Sequence, residues 1–427
     1  MKIINKKKEA IEELKRISTR TNSENNNKIN RIVEEIIQEV KISGDIAVEK
    51  YTKKFDGFDP NPMQVSANDL KDAWDEIDNN LKRSLVVAHE RIQKFHEKEI
   101  PQSFTIKGEY GDIVQRRWRP VKNAGIYIPG GRAAYPSTVL MNAIPAKVAG
   151  VKEIIICTPP NENGINESIL YIAKLLKIDE IYQVGGAQAV AAMAYGTQSI
   201  VKVNKIVGPG NIFVAAAKKQ VFGNVGIDMI AGPSEVVILS DSNANPKYIS
   251  NDLLAQAEHD PKASAILVTN SKKLAKKVYQ QVNNLVKNAK RKNIIKESLN
   301  KNGKIYIMPS IIDCIEFINK FAPEHLEIFL KNYGKYEKDF KNAGSIFVGD
   351  NSAEAFGDYI AGPSHVLPTN GNALFSSPLS SLDFIKYSSF TSISKEGMKK
   401  LSKNVEIIAE SEGLYEHANS VKVRKNK

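Results

Sequence analysis

Apolar residues at helical spacing mark the first part of the chain. Ile32, Ile36 and Val40 recur every four residues, and similar sets precede them. This spacing lines apolar side chains along one face of a helix, so residues 6–96 are predicted to be mostly helical. Alternating residues and two glycines then predict a β-hairpin over residues 103–119.

A different rhythm begins near residue 124, where short β-rich runs alternate with helical stretches. This alternation is typical of parallel sheets, and a Gly-Pro turn at Gly232 separates two such series, which indicates two α/β units. After Asn370 the rhythm ends and a short helical tail follows. The predicted strands are 125–128, 153–157, 180–184, 205–207, 235–240, 264–269, 304–308 and 345–348. The predicted helices between them include 137–148, 169–176, 187–194 and 211–219.

Length and charge bound the class of protein. A chain of 427 residues is too long for one ordinary domain and predicts roughly two to four. The net charge is +12, but lysine is spread along the chain, which favours an ordinary solvated surface over a nucleic-acid site. A basic field would still help to attract an anionic nucleotide.

Cysteine use and hydropathy indicate the compartment. Two cysteines cannot form a disulfide framework and fit a reducing cytosol. The amino-terminal residues lack the apolar core of a signal peptide, and no apolar run reaches the length that spans a bilayer. We therefore expect a soluble, cytoplasmic protein without a membrane partner.

Glycine-rich turns lie next to several predicted strands. Three follow a strand and one precedes a strand: Ile128-Pro-Gly-Gly-Arg132, Val184-Gly-Gly-Ala-Gln188, Val207-Gly-Pro-Gly-Asn211 and Ala231-Gly-Pro-Ser-Glu235. Glycine lets the backbone approach a ligand closely, and ligands of open α/β sheets gather outside the carboxyl ends of strands. Any one of these is more simply a tight turn, but the set favours a nucleotide site. Neither Gly-x-Gly-x-x-Gly nor a Walker loop occurs, so an unusual binding mode is expected.

Four of the six histidines lie beyond residue 250, and each of these four has a carboxylate or an amide within a few residues. They are His259, His325, His365 and His417. Imidazole and carboxylate groups at several points of a chain are what a divalent-metal site or an acid/base pair requires. The other two histidines, His89 and His96, are predicted to be surface residues of a Lys/Glu-rich helix.

The first two of these histidine sites have competing explanations. Gln256 and His259 share a face of a helix predicted over 245–259 and could bind metal, although His259 alone is more simply a favourable group at a helix C-terminus. Glu324 and His325 are predicted to open a helix that ends at Leu330. Glu324 would then be an ordinary dipole partner or half of an acid/base pair, and the helix N-terminus would keep His325 neutral.

The other two sites are equally open. Asp358 and His365 flank a Gly-Pro turn, where the two side chains either converge or lie on an ordinary surface turn. His417 lies in a polar tail near Glu412 and Glu416, and a tail histidine is more often simply solvated.

Taken together, seven ordered motifs resemble those of the histidinol dehydrogenase family. The match runs from about Arg116 to His417. The motifs are Tyr127-Ile-Pro-Gly-Gly-Arg, Val184-Gly-Gly-Ala-Gln-Ala, Gly208-Pro-Gly-Asn, Ala231-Gly-Pro-Ser-Glu, Gln256-Ala-Glu-His-Asp, Ala322-Pro-Glu-His-Leu and Ala361-Gly-Pro-Ser-His-Val-Leu-Pro-Thr369.

The resemblance implies a role for particular residues. The implied zinc ligands are Gln256, His259, Asp358 and His417. The implied acid/base pair is Glu324 and His325. Besides His325 and the zinc ligands, the implied substrate contacts are Ser234, His365 and Glu412, with Glu416 as a neighbouring candidate for the last. The implied NAD contacts are Tyr127, Gln188 and Asn211.

The resemblance also implies a reaction and an assembly. L-histidinol would be oxidised to L-histidine through histidinaldehyde in two hydride transfers to NAD. His325 would remove the alcohol proton, Glu324 would activate water against the aldehyde, and zinc would orient the substrate. The implied homodimer, in which the C-terminal segment reaches the partner's active site, would explain why a polar tail carries His417.

The predicted fold is α/β, with two Rossmann-like parallel-sheet domains and smaller N-terminal helical and C-terminal segments. The predicted division has residues 1–22 as the N-terminal helical segment, 23–125 and 234–378 as two parts of a main domain carrying the metal site, 126–233 as an inserted domain and 379–427 as a dimerisation segment.

Three other functions compete with this interpretation. A zinc-dependent hydrolase could use the same metal with Glu324 and His325, but the glycine turns argue against it. An aldehyde dehydrogenase would act through Cys157, yet no charged neighbour would lower the pKa of that thiol, so a buried structural cysteine is expected. A nucleic-acid-binding protein would lack any recognisable motif.

Overall fold

The structure, a computed structural model, describes residues 1–18, 24–130, 135–161 and 164–425. The strands are β1 (Lys2–Ile4), β2 (Phe104–Lys107), β3 (Ile113–Pro120), β4 (Asn123–Tyr127), β5 (Glu153–Cys157), β6 (Glu180–Tyr182), β7 (Lys205–Val207), β8 (Gly226–Ile227), β9 (Glu235–Ser240), β10 (Ser264–Thr269), β11 (Lys304–Ile307), β12 (His325–Phe329), β13 (Ser345–Val348) and β14 (Ile385–Ser392). The helices are α1 (Lys7–Ser18), α2 (Glu24–Ser43), α3 (Asp45–Asp56), α4 (Ala67–Glu76), α5 (Asn79–His96), α6 (Pro136–Val148), α7 (Glu167–Leu175), α8 (Gly186–Tyr195), α9 (Ile212–Val221), α10 (Pro246–Ala257), α11 (Lys272–Leu285), α12 (Lys292–Lys301), α13 (Ile311–Phe321), α14 (Glu354–Tyr359), α15 (Lys395–Ser411) and α16 (Tyr415–Lys422).

The first parallel sheet has five strands in the order β6-β5-β4-β7-β8. Helices α2 and α3 pack against α8, and α4 and α5 pack against α7 and α6 respectively. The strand order reverses between β4 and β7, which is where open α/β sheets form a crevice at their carboxyl ends. Two of the predicted glycine turns follow these two strands, although Gly131 and Arg132 lie outside the described residues.

The second parallel sheet has six strands in the order β1-β11-β10-β9-β12-β13. All residues of β9, β10 and β12 are buried, as expected when helices cover both faces of a parallel sheet. The strand order reverses here between β9 and β12. These two central strands carry the candidate chemistry described below.

An antiparallel sheet, β14-β3-β2, joins the predicted hairpin to a strand from near the C-terminus. The hairpin predicted at 103–119 is confirmed as β2 and β3. Large apolar side chains remain exposed on this sheet and on the helix after it, for example Ile106, Tyr387, Phe390, Ile407 and Ile408. The C-terminal part of the described chain therefore presents an apolar surface.

The predicted fold class is confirmed, and five strands have their predicted bounds: 153–157, 205–207, 235–240, 264–269 and 345–348. One element was wrong. The helix predicted to begin at Glu324 is the strand β12, because a short buried run cannot be assigned by periodicity when neighbouring strands decide its conformation. His96 was also predicted at the surface but is fully buried, with Nδ1 2.7 Å from an oxygen of Glu99.

Two features bear on how the chain is divided. The strand β1 pairs with β11, so the first residues complete the second parallel sheet. Helices α2–α5 share their buried core with the first parallel sheet, whereas the predicted division grouped residues 23–125 with 234–378. The predicted borders remain a prediction. Among the helices of the described residues, none is both long and apolar enough to cross a membrane.

Truncation of a central strand is expected to destabilise the second sheet. Ile238 of β9 is fully buried, so Ile238→Ala should lower the free energy of unfolding by about 2–5 kcal/mol through lost burial and the cavity left behind. Ile42 is 84% exposed, and Ile42→Ala serves as the matched control with little expected effect. Denaturant unfolding of both variants measures the difference, and equal losses would contradict the assignment of β9 to the core.

Candidate functional site

The candidate catalytic residues lie at the amino edge of the second parallel sheet. The register pairs His325, the first residue of β12, with Val236 of β9 and with Ser345 of β13. Glu324 and Ser234 immediately precede their strands. Parallel strands begin at a common edge, so the sheet itself brings these residues together. This edge is opposite to the carboxyl edge at which α/β sheets usually bind ligands.

The imidazole of His325 is buried and surrounded by oxygen atoms. Its Nδ1 lies 3.2 Å from the carbonyl oxygen of Glu235, 3.4 Å from Oε1 of Glu354 and 3.8 Å from Oε2 of Glu324. A carbonyl oxygen can only accept a hydrogen bond, so we assign the proton to Nδ1. The lone pair then lies on Nε2, which is 3.8 Å from Oδ1 of Asp358.

Burial sets the charge of this histidine. It lowers the pKa of His325 to about 4, against the opposing influence of the nearby Asp358 carboxylate. The imidazole is therefore neutral at neutral pH, as the sequence predicted. The predicted cause was wrong, since His325 begins the strand β12 rather than a helix, and burial is the main cause of the lowered pKa.

Glu324 is held by the same stretch of backbone. Its Oε2 accepts a hydrogen bond of 2.7 Å from the N–H of Glu235, the residue whose carbonyl oxygen faces His325. Burial raises the pKa of Glu324 well above its ordinary value. One residue of β9 thus orients both members of the predicted acid/base pair.

Three further acidic residues, which the sequence analysis missed, are connected to His325 through Glu354. Glu354 is buried, and its N–H donates a hydrogen bond of 2.7 Å to Oε1 of Glu327. Burial raises the pKa of Glu327 to about 8, and burial raises that of its hydrogen-bonded neighbour Asp252 to about 6. Glu354 precedes Asp358 by four residues, so one helical face carries both, and that spacing was a signal in the sequence. Glu327 could be placed only once β12 was known.

His365 connects this edge to the first parallel sheet. Its Nδ1 lies 2.9 Å from the carbonyl oxygen of Asp358, and its Nε2 lies 3.4 Å from the hydroxyl of Thr138 in the first turn of α6. Helix α6 follows the carboxyl end of β4. The amino edge of one sheet therefore meets the carboxyl edge of the other. Burial lowers the pKa of His365.

Of the predicted zinc ligands that carry an imidazole or a carboxylate, only Asp358 belongs to a cluster of such groups among the described residues. His325, Glu354 and Asp358 place ligand-type atoms within 4.8 Å of one another. Gln256 lies one helical turn after Asp252 and is fully buried, yet neither amide atom has a hydrogen-bond partner among the described residues. Buried amides are normally satisfied, so a ligand for this side chain, such as a metal ion taking its oxygen, fits the site.

Two of the other predicted metal ligands differ in position. His259, just after α10, is exposed, and its charge lowers the pKa of both His325 and His365, so it lies near them. His417 is exposed on α16, and within the described residues it joins no cluster of ligand-type side chains. Glu412 is likewise exposed at the end of α15. A single chain therefore does not assemble the complete predicted set.

The predicted cofactor residues share the carboxyl edge of the first sheet. Tyr127 ends β4, and its hydroxyl accepts a hydrogen bond of 3.1 Å from the N–H of Gly186. Gln188, in the first turn of α8, is 1% exposed, and both of its amide atoms lack partners among the described residues. Asn211 caps α9. The unpaired amide and two helix N-termini fit a polar, anionic ligand.

Cys157 has no features of a nucleophile. It ends β5 and is fully buried, and this burial raises the pKa of its thiol to about 12. A thiol that stays protonated at neutral pH is a poor nucleophile. The expectation of a structural cysteine is therefore supported.

The chain is similar to known histidinol dehydrogenases over nearly its whole length. The family model described as histidinol dehydrogenase matches residues 19–425. A histidinol dehydrogenase from Prochlorococcus marinus strain MIT 9312 is 61% identical, covering 99% of this chain and 97% of the relative. One from Clostridium acetobutylicum is 51% identical, covering 93% of each. The crystal structure of histidinol dehydrogenase from Elizabethkingia anophelis has a TM-score of 0.93 at 39% identity, covering 99% of this chain and 98% of that one.

The buried acid Glu327 is expected to make stability depend on pH. Its pKa is about 8 in the folded protein, whereas unfolding returns it to its ordinary value of 4.5. Between these values the folded state binds more protons, so the free energy of unfolding falls as pH rises. Glu327→Gln removes this titration, so the stability of the variant relative to wild type should increase from about pH 5 to about pH 8.

Urea unfolding in the presence of a chelator measures this effect without a contribution from bound metal. Glu76→Gln, at an exposed position on α4, is the control and should keep the wild-type profile. Parallel pH profiles for Glu327→Gln and wild type would contradict the raised pKa.

Proposed function

This chain belongs to the histidinol dehydrogenase family, and we propose that it oxidises L-histidinol to L-histidine through histidinaldehyde, with NAD and bound zinc. The observation that carries the proposal is the neutral, buried imidazole of His325, with the lone pair on Nε2 and with Glu324 beside it. The reaction would close histidine biosynthesis, and we place it in the cytoplasm.

His325 would act as the base in the oxidation steps. Its Nδ1 is held by the carbonyl oxygen of Glu235, so its Nε2 is free to take the proton of the substrate hydroxyl. A neutral imidazole is ready for this at neutral pH because burial has lowered its pKa. NAD, when bound, supplies the acceptor for one hydride in each of the two oxidations.

Glu324 would serve the hydration of the aldehyde between the two oxidations. A carboxyl group with a pKa raised by burial exchanges its proton closer to the operating pH than an exposed one does. The hydrogen bond from the N–H of Glu235 fixes one oxygen of Glu324 and leaves the other for water. A water molecule that gives its proton to this oxygen would attack the aldehyde carbon.

The zinc ion would be held by Gln256, His259 and Asp358 of one subunit. The fourth ligand would be His417 of the partner subunit. The unpaired, buried amide of Gln256 and the imidazole and carboxylate types of the other residues support this set. When bound, zinc would orient the substrate through its imidazole and amine groups. Ser234, His365 and Glu412 would contact the substrate as well, with Glu416 as the neighbouring candidate for the last.

The NAD site would lie at the carboxyl edge of the first sheet. At that edge Tyr127 ends β4, Gln188 is in the first turn of α8 and Asn211 caps α9. The buried amide of Gln188 has no hydrogen-bond partner among the described residues. The contact between His365 and Thr138 brings this edge to the candidate catalytic residues. A cofactor bound at one edge could therefore reach a substrate bound at the other.

A homodimer with shared active sites would complete the assembly. The apolar side chains exposed on β14 and α15 support a partner surface there. Helix α16, which carries His417, packs on α15 and, as far as the described residues go, adds no ligand to the cluster around His325. A tail that serves the other subunit explains both observations.

The yield of NADH per molecule of L-histidinol tests the reaction. We expect two NADH per substrate, lost after chelation and restored by zinc, because both oxidations would use the same oriented substrate. Zinc-loaded protein that forms no NADH would contradict the proposal and would leave the zinc-dependent hydrolase as the better interpretation.

Mixed dimers test the shared site. His259→Asn and His417→Asn should each yield inactive homodimers with little zinc, because each lacks one ligand at both sites. A dimer containing one chain of each kind would have one site with both substitutions and one intact site. Equal co-expression should therefore restore about one quarter of the wild-type activity and zinc. Two inactive variants that never complement, or variants that keep stoichiometric zinc alone, would contradict the assignment.

A further inference from the structure

A buried ion pair lies next to the first parallel sheet, outside the residues discussed so far. Lys218 is on α9 and Asp228 follows β8, and the side chains are 3% and 1% exposed with the ammonium against the carboxylate. Lysine and aspartate are rarely buried so completely. A buried ion pair is often no more stabilising than apolar residues of similar volume. Stability alone therefore does not explain this pair.

Both members of the pair bind the backbone of one residue. The ammonium of Lys218 donates a hydrogen bond of 2.9 Å to the carbonyl oxygen of Gly208. The N–H of Gly208 donates a bond of 2.8 Å to Oδ2 of Asp228. Hydrogen bonds to charged groups are the stronger kind, so the peptide groups on both sides of Gly208 are fixed.

Gly208 also lies directly against the end of β4. Its φ is +109°, and a Cβ on it would lie 2.1 Å from the carbonyl oxygen of Tyr127. No other residue type fits there without displacing the backbone. The turn after β7 is thus pressed against the end of β4 at the position where the strand order reverses.

This contact lies between two of the proposed cofactor residues. Tyr127 ends β4, and Asn211 caps α9 three residues after Gly208. Lys218 is on α9 itself, so one side chain ties the helix to the turn that precedes it. Lys218 and Asp228 neutralise each other's charge, and each makes a hydrogen bond with the backbone of Gly208. The pair therefore acts through the backbone rather than by direct contact with a ligand.

We propose that Lys218 and Asp228 are positioning residues for the dinucleotide, which hold the Gly208-Pro-Gly-Asn211 turn at the distance from Tyr127 that NAD requires. The inference rests on the proposed use of NAD. Without the pair the turn would be free to move, and binding NAD would have to order it again, which lowers affinity. L-histidinol, at the amino edge of the other sheet, would bind as before.

The test removes both charges together, because removal of one would leave the other buried and unpaired. In Lys218→Met/Asp228→Leu, both bonds to Gly208 are lost, and the Kd and KM for NAD should rise by about tenfold, the order of one to two net hydrogen bonds. The KM for L-histidinol and the zinc content should stay within about twofold of wild type. Calorimetric titration with NAD alone measures the Kd without turnover.

A second variant and a control separate positioning from general destabilisation. Lys218→Met/Asp228→Asn keeps an acceptor for the N–H of Gly208, so its Kd for NAD should rise by only about threefold. Lys205→Met breaks a pair at the opposite end of β7, where Nζ lies 3.1 Å from Oδ1 of Asp383, and should leave NAD binding unchanged.

The outcomes are distinct. A wild-type enzyme that reduces no NAD would contradict the proposed function itself. If the wild type is active but Lys218→Met/Asp228→Asn binds NAD with the wild-type Kd, only the positioning role is overturned. This variant also provides the test if Lys218→Met/Asp228→Leu does not fold. Equal rises in KM for both substrates would mark a structural role and would also overturn it.

Discussion

The parallel pairing of β9 with β12 is the constraint on which the candidate site depends. Glu235 begins β9, and its N–H and carbonyl groups bind Glu324 and His325 at the start of β12. Main-chain groups at the sheet edge therefore orient the proposed acid/base pair. Since both strands are buried on both faces, the same pairing removes water from these side chains and shifts their pKa values. Position and protonation state thus have one physical origin.

The two parallel sheets use opposite edges. The first offers its carboxyl ends and helix N-termini, which suit an anionic cofactor. The second offers its amino ends, where carboxyl and imidazole groups gather around His325. The contact of His365 with Thr138 joins the two edges. A cofactor and a substrate of different chemistry would thus have environments of different polarity on the two sides of this contact.

Several buried polar groups are costly for folding. Glu354 and Glu327 are buried carboxyl groups with raised pKa values, and the amides of Gln188 and Gln256 have no partners among the described residues. Such groups cost free energy when their hydrogen-bonding capacity is not met. They cluster at the two edges that meet, which is the pattern expected where ligands complete the hydrogen bonds. The core clusters elsewhere are made mainly of aliphatic side chains.

Local patterns in the sequence were sufficient for the alternating strands and helices, because the apolar period and the glycine turns reflect local geometry. Five of the predicted strands have the same bounds as the observed ones. The roles given to the zinc, substrate and NAD residues came from ordered motifs and remain predictions. The error at β12 had a physical reason: its conformation is decided by β9 and β13, which are distant in the chain.

Only the tertiary structure decided the electrostatics. The neutrality of His325 comes from burial and not from a neighbour in sequence, and no local pattern reports burial of that depth. Glu327 and Asp252 are far apart in the chain, and Lys218 reaches Asp228 only because α9 and β8 fold onto the same turn. The sequence by itself determined most of the elements, apart from β12, and the motifs that carry the candidate chemistry. Desolvation and pairing, which depend on atoms brought together from the whole chain, decided their charge and their partners.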